Sequence, residues 1–504
     1  MKFIDNLLNR VTMYMLVEYV LIGWLAIAAI LGFAHVLPYD GFSVIWTSVL
    51  LVGLAWIANL IFAWAFSAPV HNQSAYLSGL ILALIIVPMG NGLSTGLYIW
   101  APILAMASKY IIAIRKQHLF NPAAFAVALT ALVLGQSATW WIGNTPMFFP
   151  VLLGGAIIIR KIRRWDVFYS FALAVITGVT IVALVRHVEI LNLWKRTLTE
   201  TPLLFFGTVM LTEPSSLPGT KWLRCWFGAL VGILFIPQFH YGSVYITPEQ
   251  ALLIGNVAFY IIARRQRYVL TLRDKVEIGP HLYDFVFAGP QPVHHRSGQY
   301  MEFMVPHKKT DSRGARRYFT LASAATEPVI RLGVKTYTPS STFKQALVAM
   351  KPGDTIIASQ LGGNFTLPND PNKKLAFIAG GIGVTPFRSM VKEMIDRSQK
   401  RDVALLYAAQ TEAELVYRDI FAAGQALGVR PYYILGDEKK IPANWTGGRG
   451  VLTAEVIRSQ VPDFIDRTFY VSGPQKMVDA FVKTLRGMGL RGSRIKTDYF
   501  PGFA

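Results

Sequence analysis

The sequence predicts a multidomain chain. A polytopic α-helical membrane domain of about ten helices, built as an inverted repeat, precedes an antiparallel β-barrel and an α/β nucleotide-binding domain. Three observations predict it. First, charge is unevenly spread: residues 1–267 hold 17 Lys/Arg and 8 Asp/Glu, whereas residues 268–504 hold 32 and 21. Second, the first half is a series of apolar runs long enough to span hydrocarbon. Third, the second half changes to alternating strands and then to a strand–helix alternation.

The first apolar run, Met13 to Leu37, exceeds the 7–15-residue core typical of a signal peptide and lacks a convincing cleavage site. It reads as a retained transmembrane helix. Further segments begin near residues 42, 75, 94, 121, 146, 166, 202, 223 and 247. With both termini cytoplasmic, thirteen Lys/Arg fall inside (Lys2, Arg10, Arg115, Lys116, Arg160, Lys161, Arg163, Arg164, Lys221, Arg224, Arg264, Arg265 and Arg267). Only Arg186, Lys195 and Arg196 fall outside. That bias sets the orientation. The loop from Arg186 to Thr201 fits this drawing worst and reads as an amphipathic surface helix.

Two segments are short and end in loop-like breaks. They are Ala75–Pro88, closing in Pro88-Met89-Gly90, and Leu203–Glu213, closing in Glu213-Pro214-Ser215-Ser216. They stand third and eighth of ten, so they match between two five-helix halves. Such pairs point to an inverted repeat with a site between the halves near the bilayer midplane. Ionisable residues inside spans are costly and default to function. Glu18, Lys109 and Glu213 qualify, with snorkelling to the cytoplasmic face as the alternative for Glu18 and Lys109. Glu213, at a broken helix, and Asn121, from the other half, are the candidates for contact with an ion, a quinone or a flavin.

Several classes are excluded. The single Cys225 forbids internal disulfides and a self-contained iron–sulfur cluster, which needs about four thiolates. Five histidines in the membrane half, His35, His71, His118, His187 and His240, form no repeated intrahelical pair, so no haem is expected. No metal site and no nucleic acid are expected either. The net charge of +20 reads as loop bias in the first half and as a solvated, cofactor-facing surface in the second.

From Tyr268 onward, Tyr268-Val-Leu-Thr-Leu and Tyr300-Met-Glu-Phe-Met-Val alternate as strands. From Lys374, Leu375–Ala379, Phe387–Ser398 and Val403–Ala408 read as strand, helix and strand. The domains are therefore 1–267, a barrel at 268–371 and an α/β domain at 372–504, with the joint near Pro371. Alternation along Arg317-Tyr318-Phe319-Thr320-Leu321-Ala322-Ser323 sends Arg317 and Phe319 to one side and Tyr318 and Thr320 to the other. An arginine fork suits a phosphate. Gly380-Gly381-Ile382-Gly383-Val384-Thr385-Pro386 joins a strand to a helix, where backbone amides can approach a pyrophosphate. Ser472-Gly473-Pro474 ends another strand. The chain closes on Asp498-Tyr499-Phe500-Pro501-Gly502-Phe503-Ala504, an aromatic cluster able to cover a planar cofactor.

Taken in order, these pieces, with Gly298-Gln299-Tyr300, Ser340-Ser341-Thr342 and Gly353-Asp354, resemble the ferredoxin–NADP reductase family over residues 268–504. The resemblance implies FAD and NAD(P)H as cofactors. It implies Arg317 on the FAD pyrophosphate, with Tyr318 and Ser323 on the same cofactor strand. Phe319 and Thr320 would line the flavin ring, and Ser340, Ser341 and Thr342 would meet FAD phosphates. Gly380, Gly381, Gly383, Thr385, Pro386, Gly473 and Pro474 would receive the nicotinamide dinucleotide, and Phe500 would cover a cofactor. Thr320 and Ser472 are the implied catalytic residues; many members have cysteine where Ser472 stands. Ala409-Gln410-Thr411-Glu412 offers no arginine for a 2′-phosphate, which favours NADH.

The string from Lys109 through Asn121-Pro122 to Phe125, and Phe206–Met210 leading into Leu211-Thr212-Glu213-Pro214, resemble the RnfD/NqrB family of redox-complex membrane proteins over residues 40–262. Members carry a flavin, often FMN on a threonine in Ser-Gly-Ala-Thr. The nearest string here, Gln136-Ser137-Ala138-Thr139, comes soon after Asn121-Pro122, so FMN or another flavin is an expectation for the domain rather than for Thr139. Together the resemblances imply a multi-pass bacterial-type inner-membrane protein with a cytoplasmic reductase module. It would pass electrons from NAD(P)H through FAD to a quinone, a flavin or an extracytoplasmic acceptor, with the bilayer and other electron-transfer proteins as partners. A redox-driven Na⁺ or H⁺ pump component and a membrane-anchored flavin or ferric reductase are the alternatives.

Overall fold

The computed structural model describes residues 8, 11–66, 72–90, 95–114, 117–214, 216–236, 245–263, 267–307, 311 and 315–498. The chain divides into two compact units, Met1–Arg264 and Arg265–Ala504. Among the residues named in the sequence, Lys2, Arg10, His71, Arg115, Lys116, Ser215, His240, Arg264, Arg265, Phe500 and the rest of the aromatic tail lie outside the described residues.

The first unit is helical: α1 Met13–Phe33, α2 Gly41–Ala65, α3 Asn72–Ile85, α4 Thr95–Ile111, α5 Pro122–Leu134, α6 Phe148–Ile162 and α7 Trp165–Val185. A hairpin of two short strands, β1 Ala113–Ile114 and β2 Gln117–His118, separates α4 from α5. Then come α8 Ile190–Thr199, α9 Leu203–Phe205, α10 Lys221–Leu234 and α11 Pro248–Ala263. Three of these, α1, α2 and α7, are long and apolar enough to cross a membrane. Starts are set by side-chain caps: Asp40 accepts from Phe42 N and Ser43 N, and Asn121 accepts from Ala124 N. The segment after Arg186 is α8, which buries none of its side chains.

Four packing pairs recur between the halves, although α6 and α7 lack the extensive contact that α1 makes with α2. The pairs α1·α3, α2·α3, α2·α4 and α4·α5 are matched by α6·α9, α7 with the turn after α9, α7·α10 and α10·α11. Across the halves, α1 meets α6 and α5 meets α11. The close α7·α10 contact depends on Gly228 and Gly232. A Cβ at Gly228 would stand 2.5 Å from Val167 O, and one at Gly232 would stand 2.7 Å from Phe171 O. This is the small-residue spacing that lets helices touch in lipid.

The two short segments are irregular, each in its own way. The α9 segment is one α turn that runs into a π-helical turn, Phe206–Met210. The α3 helix stops at Ile85, and its last carbonyls are met by the loop after α5. Thr139 N and Trp140 N donate to Ile85 O, Ile142 N to Leu84 O, and Trp141 Nε1 to Ala83 O. Those carbonyls would otherwise be orphans.

The second unit begins with a six-stranded antiparallel sheet. Its strands are β3 Tyr268–Gly279, β4 Leu282–Ala288, β5 Tyr300–Met304, β6 Arg316–Thr320, β7 Ile330–Lys335 and β8 Thr355–Gly362, in the order β6-β5-β8-β3-β4-β7. Helix α12, Thr342–Ala349, precedes β8. Phe285, Phe287, Phe303 and Leu332 fill the sheet's core. Next comes a six-stranded parallel sheet with helices between its strands. These are β9 Leu375–Gly380, α13 Thr385–Asp396, β10 Val403–Ala409, α14 Arg418–Gly424, β11 Val429–Leu435, β12 Gly448–Arg449, α15 Ala454–Gln460, β13 Thr468–Ser472, α16 Gln475–Gly487 and β14 Ile495–Asp498. The order is β12-β11-β10-β9-β13-β14. The central strand β9 is buried throughout, as a strand covered on both faces must be.

Candidate functional site

Strand β6 presents two different faces. Arg317 and Phe319 lie on one: the Arg317 guanidinium sits 5.4 Å from the Phe343 ring centroid, and Phe319 packs on Phe303 and Phe343. Tyr318 and Thr320 lie on the other. Tyr318 donates to Gln360 Oε1 and meets Tyr300 edge-on. Thr320 donates to Asp498 Oδ2 at 2.7 Å.

Next to Arg317 is the start of α12. Arg317 Nη2 donates to Asp311 Oδ1 at 3.2 Å, and Asp311 N donates to Thr342 Oγ1 at 3.0 Å. Ser341 caps the helix by accepting from Lys344 N. The Ser340 hydroxyl is buried with no hydrogen-bond partner among the described residues. A buried guanidinium, a helix N-terminus and an unpaired buried hydroxyl together fit a pyrophosphate. The residues present therefore fit FAD.

Ser323, expected on the cofactor strand, is fully buried, and its hydroxyl accepts from Arg331 N. Its carbonyl accepts from Ser389 Oγ at 2.6 Å. This geometry makes Ser323 a tie between the two sheets' domains. Its position past the end of β6 carries it away from the strand's open face.

The glycine turn after β9 is a 3-10 turn, Gly381–Val384, leading into α13, with Thr385 and Pro386 buried in its first turn. Gly381 has φ +52 and needs no neighbour to explain its glycine. Gly383 differs: a Cβ there would stand 2.4 Å from Gly473 Cα. Gly473 has φ +156, and a Cβ on it would meet Met477 Cε at 2.6 Å. The missing side chain of Gly383 leaves room for the Ser472-Gly473-Pro474 turn.

Ser472 is buried at the end of β13, and Asp498 is its partner across the parallel pair β13·β14. Thr320, Ser472 and Asp498 thus come together where the antiparallel sheet meets the parallel one. Asp498 is the member of this cluster that pattern reading misses. Burial pushes its carboxyl up to about 7 from the ordinary 3.8, against the lowering effect of the Thr320 hydroxyl. Its local sequence carries no signal, because its partner is 178 positions away.

The first unit has its own candidate, a cleft between α1, α3, α4, α5, α6 and the residues after α9. Asn121 Nδ2 donates to Glu213 Oε2 at 2.9 Å, and Asn121 N donates to Asn256 Oδ1 on α11. Lys109 lines the same cleft. It turns inward rather than snorkelling, donating to Ser74 O, Ser74 Oγ and Ser78 Oγ at 2.8–3.0 Å. Met13, Ser74, Lys109, Asn121, Ile162 and Glu213 are all at or near helix ends. Val17 and Ile81 line it deeper within their helices, and Val209 lines it from the π turn. Thr139 is elsewhere, its hydroxyl on Ile85 O.

Residues 377–483 match the family model described as "Oxidoreductase NAD-binding domain". The chain is 26% identical over 233 residues to the stachydrine N-demethylase reductase component Stc4 of Rhizobium meliloti (strain 1021), covering 45% of this chain and 65% of that protein. It is 28% identical over 233 residues to a component of the Na(+)-translocating NADH-quinone reductase of Yersinia pseudotuberculosis serotype I (strain IP32953), covering 40% and 57%. It is 27% identical over 236 residues to NADH-cytochrome b5 reductase 1 of Aspergillus terreus (strain NIH 2624 / FGSC A1156), covering 44% and 78%. The chain thus spans less than two thirds of the length of the first two relatives. The C-terminal half carries a ferredoxin–NADP reductase-like module with an oxidoreductase NAD-binding domain.

Proposed function

We propose that the chain is a membrane-bound, FAD-dependent NAD(P)H oxidoreductase that delivers electrons to an acceptor held in its helical unit. The observation that carries this reading is the convergence of Thr320, Ser472 and Asp498 at the junction of the two sheets. It stands between a pyrophosphate-type site at Arg317 and a glycine turn at Gly381–Val384.

FAD, when bound, supplies hydride acceptance and single-electron release. Arg317, Ser340 and the start of α12 would hold its phosphates. Thr320 donates a hydrogen bond to Asp498, whose carboxyl can hold a proton near neutral pH. The Gly381–Val384 turn and the Ser472–Pro474 turn, packed together, would hold the nicotinamide dinucleotide. Glu412, after β10, pairs with Arg418 at 2.8 Å. The carboxylate suits a ribose hydroxyl, and the Arg418 guanidinium beside it suits a 2′-phosphate, so this place accommodates NADH or NADPH.

We place the membrane acceptor in the Lys109–Glu213 cleft, which draws on both halves of the helical unit; the recurring packing pairs support an inverted-repeat membrane domain. A quinone, a flavin or a relay to an extracytoplasmic acceptor fits a mostly apolar slot with few polar groups. A small cation would share that slot with the Lys109 ammonium, which weighs against the redox-driven pump. The test is anaerobic titration of purified protein with NADH, followed by acid release of the cofactor. Noncovalent FAD bleached by NADH supports the reading; protein without FAD overturns it.

A further inference from the structure

The functional reading leaves unused a buried charged cluster between the two domains of the second unit. Arg388 lies on α13, three residues beyond Thr385, and is 5% exposed. Its Nη1 donates to Ala322 O at 2.9 Å and to Glu327 Oε2, and its Nη2 donates to Glu327 Oε1 at 3.0 Å. The next residue, Ser389, donates to Ser323 O at 2.6 Å. Two adjacent residues of one helix therefore hold residues 322, 323 and 327 of the antiparallel-sheet domain.

The two gripped pieces are the ones that matter for chemistry. Helix α13 continues directly from the Gly381–Val384 turn. The segment 322–327 follows β6, which ends in Thr320. The far side of the grip is itself anchored: Arg331 on β7 pairs with Asp284 at 2.6 Å and stands 3.5 Å from Glu327. The Tyr417 ring centroid lies 5.8 Å from the Arg388 guanidinium. Planar fork against carboxylate fixes angle as well as distance, which an ammonium at the same place would not.

We propose that Arg388 is a positioning residue. Its bidentate bond to Glu327 and its bond to Ala322 O set the spacing between the nicotinamide-side turn and the flavin-side strand, and so the hydride-transfer distance. This rests on the reductase reading above. A misplacement of about 1 Å can slow a positioned reaction on the order of a hundredfold.

The test is anaerobic stopped-flow reduction of the full-length protein by NADH, read per bound flavin. The variants are Arg388→Lys, which keeps the charge and loses the fork, and Glu327→Gln. The expected result is a fall in the limiting reduction rate of about tenfold or more, with little change in the NADH dissociation constant. A weakened long-wavelength charge-transfer band between reduced flavin and NAD⁺ should accompany it. Ser389→Ala removes a neighbouring bond without stranding a charge, and should show a smaller loss in the same rate constant. Rates per flavin equal to wild type in all three variants, whatever happens to thermal stability, would overturn the proposal while leaving the reductase reading intact. Wild-type flavin that neither NADH nor NADPH reduces would overturn both.

Discussion

Thr320 donates its hydroxyl proton to Asp498 across 2.7 Å, joining the last residue of β6 to the last described residue of the chain. Both side chains are nearly buried. The bond ties the strand proposed to line the flavin to the strand beside Ser472.

The first prediction concerns that carboxyl. Burial raises its folded-state value to about 7 from 3.8, so the folded protein binds this proton more tightly than the unfolded chain. The linked stability is therefore complete below about pH 4 and is lost as pH rises through about 7. Asp498→Asn should remove this dependence. Melting temperature against pH, measured for both proteins, should show the wild type falling relative to the variant across that window. The pH profile of flavin reduction should bend near 7 in the wild type and lose the bend in the variant. Parallel curves would mean that Asp498 does not titrate there.

A second prediction follows from Arg317. Replacing it with alanine leaves Asp311 without its guanidinium and Phe343 without the cation above it. FAD content after gel filtration should drop severalfold, and added FAD should restore absorbance only at high concentration. Arg317→Lys should be intermediate, since one ammonium cannot match the fork. Full flavin occupancy in Arg317→Ala would remove this residue from the site.

Gly383 gives a third. A Cβ would meet Gly473 Cα at 2.4 Å, so Gly383→Ala overpacks a backbone seam. Overpacking costs about 1–3 kcal/mol, and the melting temperature should fall. Weaker NADH binding should accompany it, because both turns shift. Gly381→Ala, with open space around it but φ +52, should cost less through contacts and act through backbone strain. A Gly383 variant as stable as wild type would contradict the seam.

The fourth concerns the helical unit. Glu213→Gln keeps an acceptor for Asn121 Nδ2 and avoids the penalty of about 1–3 kcal/mol for an orphaned buried amide. Lys109→Met removes the ammonium that faces Ser74 and Ser78. Each should slow electron delivery to a membrane acceptor on the order of tenfold or more, with NADH reduction of FAD unchanged. Equal loss in both steps, or in neither, would make the cleft structural.

Periodicity is legible at a distance and tertiary choices are not. The apolar runs, the alternation at Tyr268 and Tyr300, and the strand–turn–helix around Gly380 all follow from local spacing, and helices and strands stand there. Asn121 is readable because Asn-Pro both turns the chain and caps a helix. The pattern leaves Lys109 two outcomes, because its length allows it to reach either water or Ser74, and only the α3·α4 packing decides. The π turn at Phe206–Met210 and the loop that caps Ile85 belong to partners far along the chain. Asp498 has no pattern of its own, while Ser323 matches a motif whose geometry puts it to another use.

The seam between Gly383 and Gly473 has a thermodynamic consequence. Two turns from β9 and β13 are packed backbone against backbone, so neither can reorganise without the other. A ligand that settles on them finds a surface already ordered, and its association should carry little loss of conformational entropy. Calorimetry of nucleotide binding should then show a heat-capacity change set by the surface the ligand itself covers, with no added contribution from loop folding.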